Sequence, residues 1–161
     1  MVHFGKDVSF VDKMVQGFIV GLAGGIMRNV FDVLFFHGLQ VTKMRYLDHM
    51  AMLLYQQHPE NLPEILFALG IDLWNTAFLG IVFFYLLEFL KVKNYLFAGF
   101  IYGSLLWIIF HFSGSVLHIP TFTSMKLETL FIHLILDSFY GVVLGYMYLR
   151  IFKATDKQSN Q

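Results

Sequence analysis

Four stretches of the chain, residues 14–39, 63–90, 95–117 and 127–152, are each long and apolar enough to cross a bilayer as helix. A hydrocarbon core of ~30 Å takes roughly 20 such residues. Nothing else limits the fold so tightly. Inside lipid every backbone N–H and C=O needs a protein partner, which leaves only helix bundles and closed barrels. None of the four stretches alternates with the period of a barrel strand, and all are rich in Leu, Ile, Phe and Gly. The sequence therefore predicts an all-α, four-helix transmembrane bundle, with residues 1–161 forming one integral membrane domain. Only 14% of the residues are charged, too few to wet the surface of a soluble domain of this size. The formal net charge is zero and no basic run stands out, so nucleic acid is excluded as a partner. The absence of cysteine excludes disulfides, thiolate metal sites and a cysteine nucleophile. There is no phosphate-binding loop and no GxSxG, so no enzyme class announces itself. Lys6 and Lys13 interleave with Asp7 and Asp12, which does not read as a cleaved signal.

The link 91–94 is so short that spans two and three must turn back on each other, and 119–126, with Pro120 as breaker, joins spans three and four. Positive charge sets the orientation. With the N-terminus inside, the inner segments hold Lys6, Lys13, Lys91, Lys93, Arg150, Lys153 and Lys157, and the outer ones only Lys43, Arg45 and Lys126. The expectation is a protein of the cytoplasmic membrane with both termini in the cytoplasm and 153–161 as a disordered tail. Its partners would be the bilayer and either further copies or a larger membrane complex. Residues 40–62 are expected to carry a short amphipathic interfacial helix between spans one and two. Met44, Leu47, Ala51, Leu54 and Tyr55 form its apolar face, Thr42 is a candidate cap and Pro59 a stop. That helix either merely connects or forms a lid. Gly17, Gly21 and Gly25, Gly99 and Gly103, and Gly141 and Gly145 recur at four-residue spacing, which lets helix backbones approach closely; packing within one bundle is the favoured use.

The segment GFIVGLAGG in span one, together with a last span running from His133 through FYGVVLG, resembles small four-span bacterial membrane proteins of the YqhR/YagU type. The resemblance implies a compact four-helix membrane protein and carries no catalytic residues.

Depth then singles out the polar residues. Counting ~1.5 Å per residue from the outer end of each span, Asp32, His111 and His133 lie roughly 10 Å down, Asp72 roughly 13 Å, and Arg28 and Asp137 roughly 16 Å. Each span thus contributes an ionisable group to one slab in the outer half of the bilayer, near Asn75, Ser113 and Ser115. Such groups cost roughly 2.5–3.5 kcal/mol each facing lipid, so they should face one another. Arg28 and Asp137, at one level, are expected to pair. One arginine against three aspartates leaves two negative charges, to be met by protons or by a bound cation. Asp32, Asp72, His111, His133 and Asp137 are the candidate metal ligands, with Arg28 as charge partner. Carboxylates with imidazoles suit a divalent transition metal, and His133 and Asp137 share a helix face. HxxxD also resembles the metal-binding helix of cation diffusion facilitators, which however have six spans and a second acidic or histidine pair where this chain has Arg28 and Asp32. The leading expectation is a polar intramembrane pocket that binds or passes a cation or proton. The alternatives are a structural or accessory protein whose buried charges only fix helix packing, b-type haem on His111 and His133, and a hydrolase using metal-activated water. His37, His49, His58 and His118 are expected to be wetted interfacial residues.

Overall fold

In the computed structural model, described over residues 10–119, 122 and 125–159, the helices are α1 (Phe10–Val33, continued by a π-helical turn Leu34–Gly38), α2 (Tyr46–Tyr55), α3 (Leu62–Leu90), α4 (Tyr95–Val116) and α5 (Leu127–Ser159). No strand occurs among the described residues. Four segments, Val11–Gly38, Leu62–Leu90, Tyr95–Val116 and Leu127–Ile151, are long and apolar enough to span a membrane. The distribution of side chains is that of a membrane-embedded protein. Trp74, Phe78, Phe89 and Phe112 are exposed, whereas Arg28, Asp32, Asp72, His133 and Asp137 are buried. The helix ends follow local chemistry. Asn61 and Asn94 accept the backbone N–H of Glu64 and Phe97, which caps α3 and α4. Lys91, in left-handed backbone with φ 49°, closes α3. The last helix, α5, does not give way to a disordered tail at 153 as expected but continues to Ser159. The expected break at Pro120 falls outside the described residues.

Glycines weld the spans into two pairs. A Cβ on Gly17 would stand 2.8 Å from Ile81 Cα, and one on Gly21 2.9 Å from Ala77 Cα, so α1 and α3 cross backbone to backbone. In the same way Gly99 meets Gly141, and Gly103 meets the backbone of Asp137, which joins α4 to α5. The glycine rhythm is used inside the bundle, as expected. The four-residue link turns the chain between α3 and α4, but the close packing of each lies with a different helix. Between the pairs sits an apolar core of Val20, Phe83, Phe84, Leu87, Tyr102, Tyr140 and Leu144. Two tyrosines tie the halves together, Tyr102 Oη donating to the carbonyl of Leu79 (2.8 Å) and Tyr140 Oη to that of Thr76 (2.6 Å).

Helix α2 starts later than a Thr42 cap would have it. Asp48, in the first turn, accepts the backbone N–H of Arg45 at 2.8 Å and pairs with its guanidinium at 2.8 Å. The helix ends before Pro59, at Gln56 with φ 58°. It does not lie with a single apolar face on the bundle. Leu47 and Ala51 pack on Ala68 of α3, while Tyr46 and His49 are buried on a second face. That second face roofs the polar layer.

Candidate functional site

The ionisable residues expected to share one layer do meet, and they come from α1, α3, α4 and α5. Arg28 is its hub. Its Nη2 donates to both oxygens of Asp72 (2.7 and 2.9 Å), and its Nη1 to Asp137 Oδ1 (2.9 Å). Asn29 Nδ2 adds a 2.6 Å bond to Asp72 Oδ2. The expected Arg28–Asp137 pair is therefore present but incomplete, because Asp72 is the bidentate partner. Depth counting placed Asp72 about half a turn too high for this, since helices that cross at glycines are tilted and a rise along one axis is not a depth along another. A guanidinium fork meeting two carboxylates is a strong, oriented arrangement that holds Asp72 by both oxygens and Asp137 by one, leaving Asp137 Oδ2 outside the guanidinium's bonds.

Asp32 stands apart from this hub. Its Oδ2 accepts the backbone N–H of Tyr46 at 2.8 Å, and its Oδ1 has no hydrogen bond, lying 3.6 Å from His133 Nε2. Tyr46 links the two parts. The Arg28 guanidinium lies 3.9 Å from its ring centroid, the His133 ring stacks on it at 4.5 Å, and its hydroxyl donates to the His133 carbonyl at 2.9 Å. Burial among these groups raises the Tyr46 phenol well above its usual pKa, with Asp137 and Asp32 adding to the effect and Arg28 opposing it.

Beside Tyr46 three imidazoles gather, from α2, α4 and α5. The His49 ring lies 5.2 Å and the His111 ring 6.4 Å, centroid to centroid, from that of His133. All three line a cavity of about 30 Å³, together with Arg28, Asn75 and Phe122. Nδ1 of His49 and of His111 each stand 3.0 Å from a backbone carbonyl one turn back, of Arg45 and Trp107. A carbonyl only accepts, so each Nδ1 carries the proton and each Nε2 keeps a bare lone pair. Those two Nε2 atoms and both ring nitrogens of His133 are buried without a hydrogen-bond partner. Buried groups of this kind are normally satisfied, so the cluster calls for a further occupant.

The expectation for His49 is corrected here: it is 5% exposed and belongs to the layer, whereas His37, His58 and His118 are exposed. Ser113 and Ser115 are also exposed and take no part. As the side chains stand, no three His, Asp or Glu residues among those described converge closely enough to hold a metal ion. The cavity has room for an ion or a water, not for a porphyrin between His111 and His133.

The electrostatics of His49 give a first prediction. Burial above all, then the neighbouring His133, with smaller contributions from His111 and Arg28, outweigh the bond to the Arg45 carbonyl and push its pKa down to about 3. The folded protein thus refuses a proton that the unfolded chain accepts below about 6.5. Stability from this group is complete above about 6.5 and is lost as pH falls toward 3, by at most about 1.4 kcal/mol per pH unit. Thermal melts of the purified protein should show a His49→Gln variant less sensitive to acid than the parent. Parallel pH profiles for the two would sink this account.

Comparison with known protein families, with curated proteins and with solved structures finds no match.

Proposed function

We propose that this membrane protein binds a small cation, a metal ion or a proton, in the cavity roofed by α2. The observation that carries the reading is the charge balance of the layer. Arg28 meets Asp72 and Asp137 and still leaves one negative charge, Asp32 adds a second, and four imidazole nitrogens beside them lack partners. Uncompensated charge in hydrocarbon is too costly to persist, so positive charge has to enter. The structural reading covers the other part of the same layer. Arg28, bonded to two carboxylates and lying over the Tyr46 ring, locks α1, α3 and α5 in register.

The distribution of lysine and arginine supports the cytoplasmic membrane as location, with both termini inside and α2 on the outer face. Reporter fusions after residue 161 should signal cytoplasm, and a cytoplasmic signal from a fusion at Gln57 would reverse this orientation.

Binding is tested by the melting temperature of the protein in nanodiscs against monovalent and divalent metal ions and against pH. A ligand present at 100 times its Kd stabilises by about 2.7 kcal/mol, a shift of several degrees. Asp32→Asn, which removes one of the two excess negative charges with little change of shape, should weaken that response. A parent protein whose melting is indifferent to every metal ion and to pH does not bind a cation.

A further inference from the structure

We infer that the cation is a proton, and that the imidazole of His133, paired with Asp32, is the group that binds it. This deepens the cation-binding reading and rests on it. No three His, Asp or Glu side chains among the described residues are placed to hold a metal ion, so the geometry favours a cation that needs only one acceptor. His133 of α5 and Asp32 of α1 are both fully buried. His133 Nε2 and Asp32 Oδ1 lie 3.6 Å apart, and neither has a hydrogen bond. That separation is too long for a hydrogen bond but within reach of an ion pair. A neutral imidazole carries one N–H and one lone pair. With the lone pair on Nε2, two acceptors face each other in a buried site. With it on Nδ1, that nitrogen is buried and bare. A proton added to whichever nitrogen bears the lone pair breaks no bond and gives both nitrogens an N–H. The pair then becomes imidazolium and carboxylate, whose attraction is strong in a low-dielectric interior.

The groups around His133 accept a positive ring. Arg28 is the neighbouring cation, but its bonds to Asp72 of α3 and Asp137 of α5 still leave that group one negative charge. Asp137 also stands one turn along α5 from His133, on the same helix face. From α2, the Tyr46 ring stacks on the His133 ring at 4.5 Å and offers a cation its aromatic face. The Tyr46 N–H holds Asp32 Oδ2 and its hydroxyl holds the His133 carbonyl, so one residue fixes both members of the pair. His49 of α2 and His111 of α4 line the same cavity with bare Nε2 atoms, which are acceptors for an N–H and not competing cations. Among the described residues, the only imidazole–carboxylate ion pair is that of His133 with Asp32. A proton there removes one of the two excess negative charges of the layer.

The experiment uses the full chain in nanodiscs with isotope-labelled histidine rings. Nitrogen NMR separates a neutral ring, with one protonated nitrogen, from a charged ring, with two. The His133 signal is assigned through its backbone neighbours. As pH falls, His133 should gain its second N–H while His49, whose pKa lies at about 3, keeps one. In Asp32→Asn the His133 step should move down by about one pH unit or more, a roughly tenfold weaker hold on the proton. The parent titration decides the matter if that variant fails to fold. A His133 ring that stays neutral wherever the parent stays folded overturns the proton site, and so does a step unmoved in folded Asp32→Asn. If a metal ion then still raises the melting temperature, the cation reading stands without the proton. Melting indifferent to every metal ion and to pH removes both.

Discussion

Replacing Arg28 by methionine should lower the melting temperature of the bundle by roughly 10 °C or more, the largest loss expected from any single side chain here. Arg28 is 5% exposed and satisfies Asp72 twice and Asp137 once. Without it two buried carboxylates face each other in hydrocarbon, and breaking a buried pair costs about 3–5 kcal/mol even when one carboxylate is stranded. The compensating variant follows from the geometry. Arg28→Met with Asp137→Leu alone still strands Asp72, so recovery requires Asp72→Asn as well. The triple variant should melt close to the parent, because replacing a whole buried ion network by apolar groups is often neutral. Calorimetry or circular dichroism of the three proteins in one detergent checks this. An Arg28→Met protein that melts like the parent would mean that the hub contributes no stability.

Gly141→Leu should be nearly as damaging, for a reason unrelated to charge. Any Cβ at this position lands on the Gly99 carbonyl, 2.8 Å from its carbon and from the Gly103 nitrogen. Backbone on both sides of the contact cannot give way, so α4 and α5 must separate along their whole crossing. The cost should reach or exceed the upper end of the about 1–3 kcal/mol typical of overpacking. Gly70 is the internal control. Nothing lies within 4 Å of its added Cβ, and Gly70→Leu should leave the melting temperature near that of the parent or raise it through helix propensity. Equal effects at the two positions would refute the welded pair.

The parts of this architecture that depend on composition and period are visible in the chain itself. Apolar length marks the four spans to within a few residues, and the glycines at 17, 21, 99, 103, 141 and 145 name the crossing faces. The coincidence in depth of Arg28, Asp32, Asp72, His133 and Asp137 anticipates their meeting. What period and depth do not encode is azimuth, the direction in which each helix turns its polar residue. The second carboxylate on Arg28 was hidden for that reason. The face of α2 that carries Tyr46 and His49 was hidden too, because an apolar stripe at 47, 51, 54 and 55 looks sufficient by itself. A signal for it was present. Tyr46 and His49 lie one turn apart, and Asp48, already satisfied by Arg45, caps the helix, so its burial needs no further partner.

The order in which the hub's partners appear along the chain matters for how the protein can be made. Arg28 enters the bilayer with the first span, and its bidentate partner Asp72 arrives with the next one. The same two spans are matched by Gly17 and Gly21 against Ala77, Gly80 and Ile81. A nascent chain holding only α1 and α3 can therefore leave the translocon with its arginine already neutralised and its backbones in contact. Asp137 and His133 come last, on a second welded pair, and meet a docking surface that is complete apart from them. The chain order thus permits the bundle to be made by joining two hairpin-like halves, with the final span closing the polar seam and Arg28 already opposite Asp72 before it arrives.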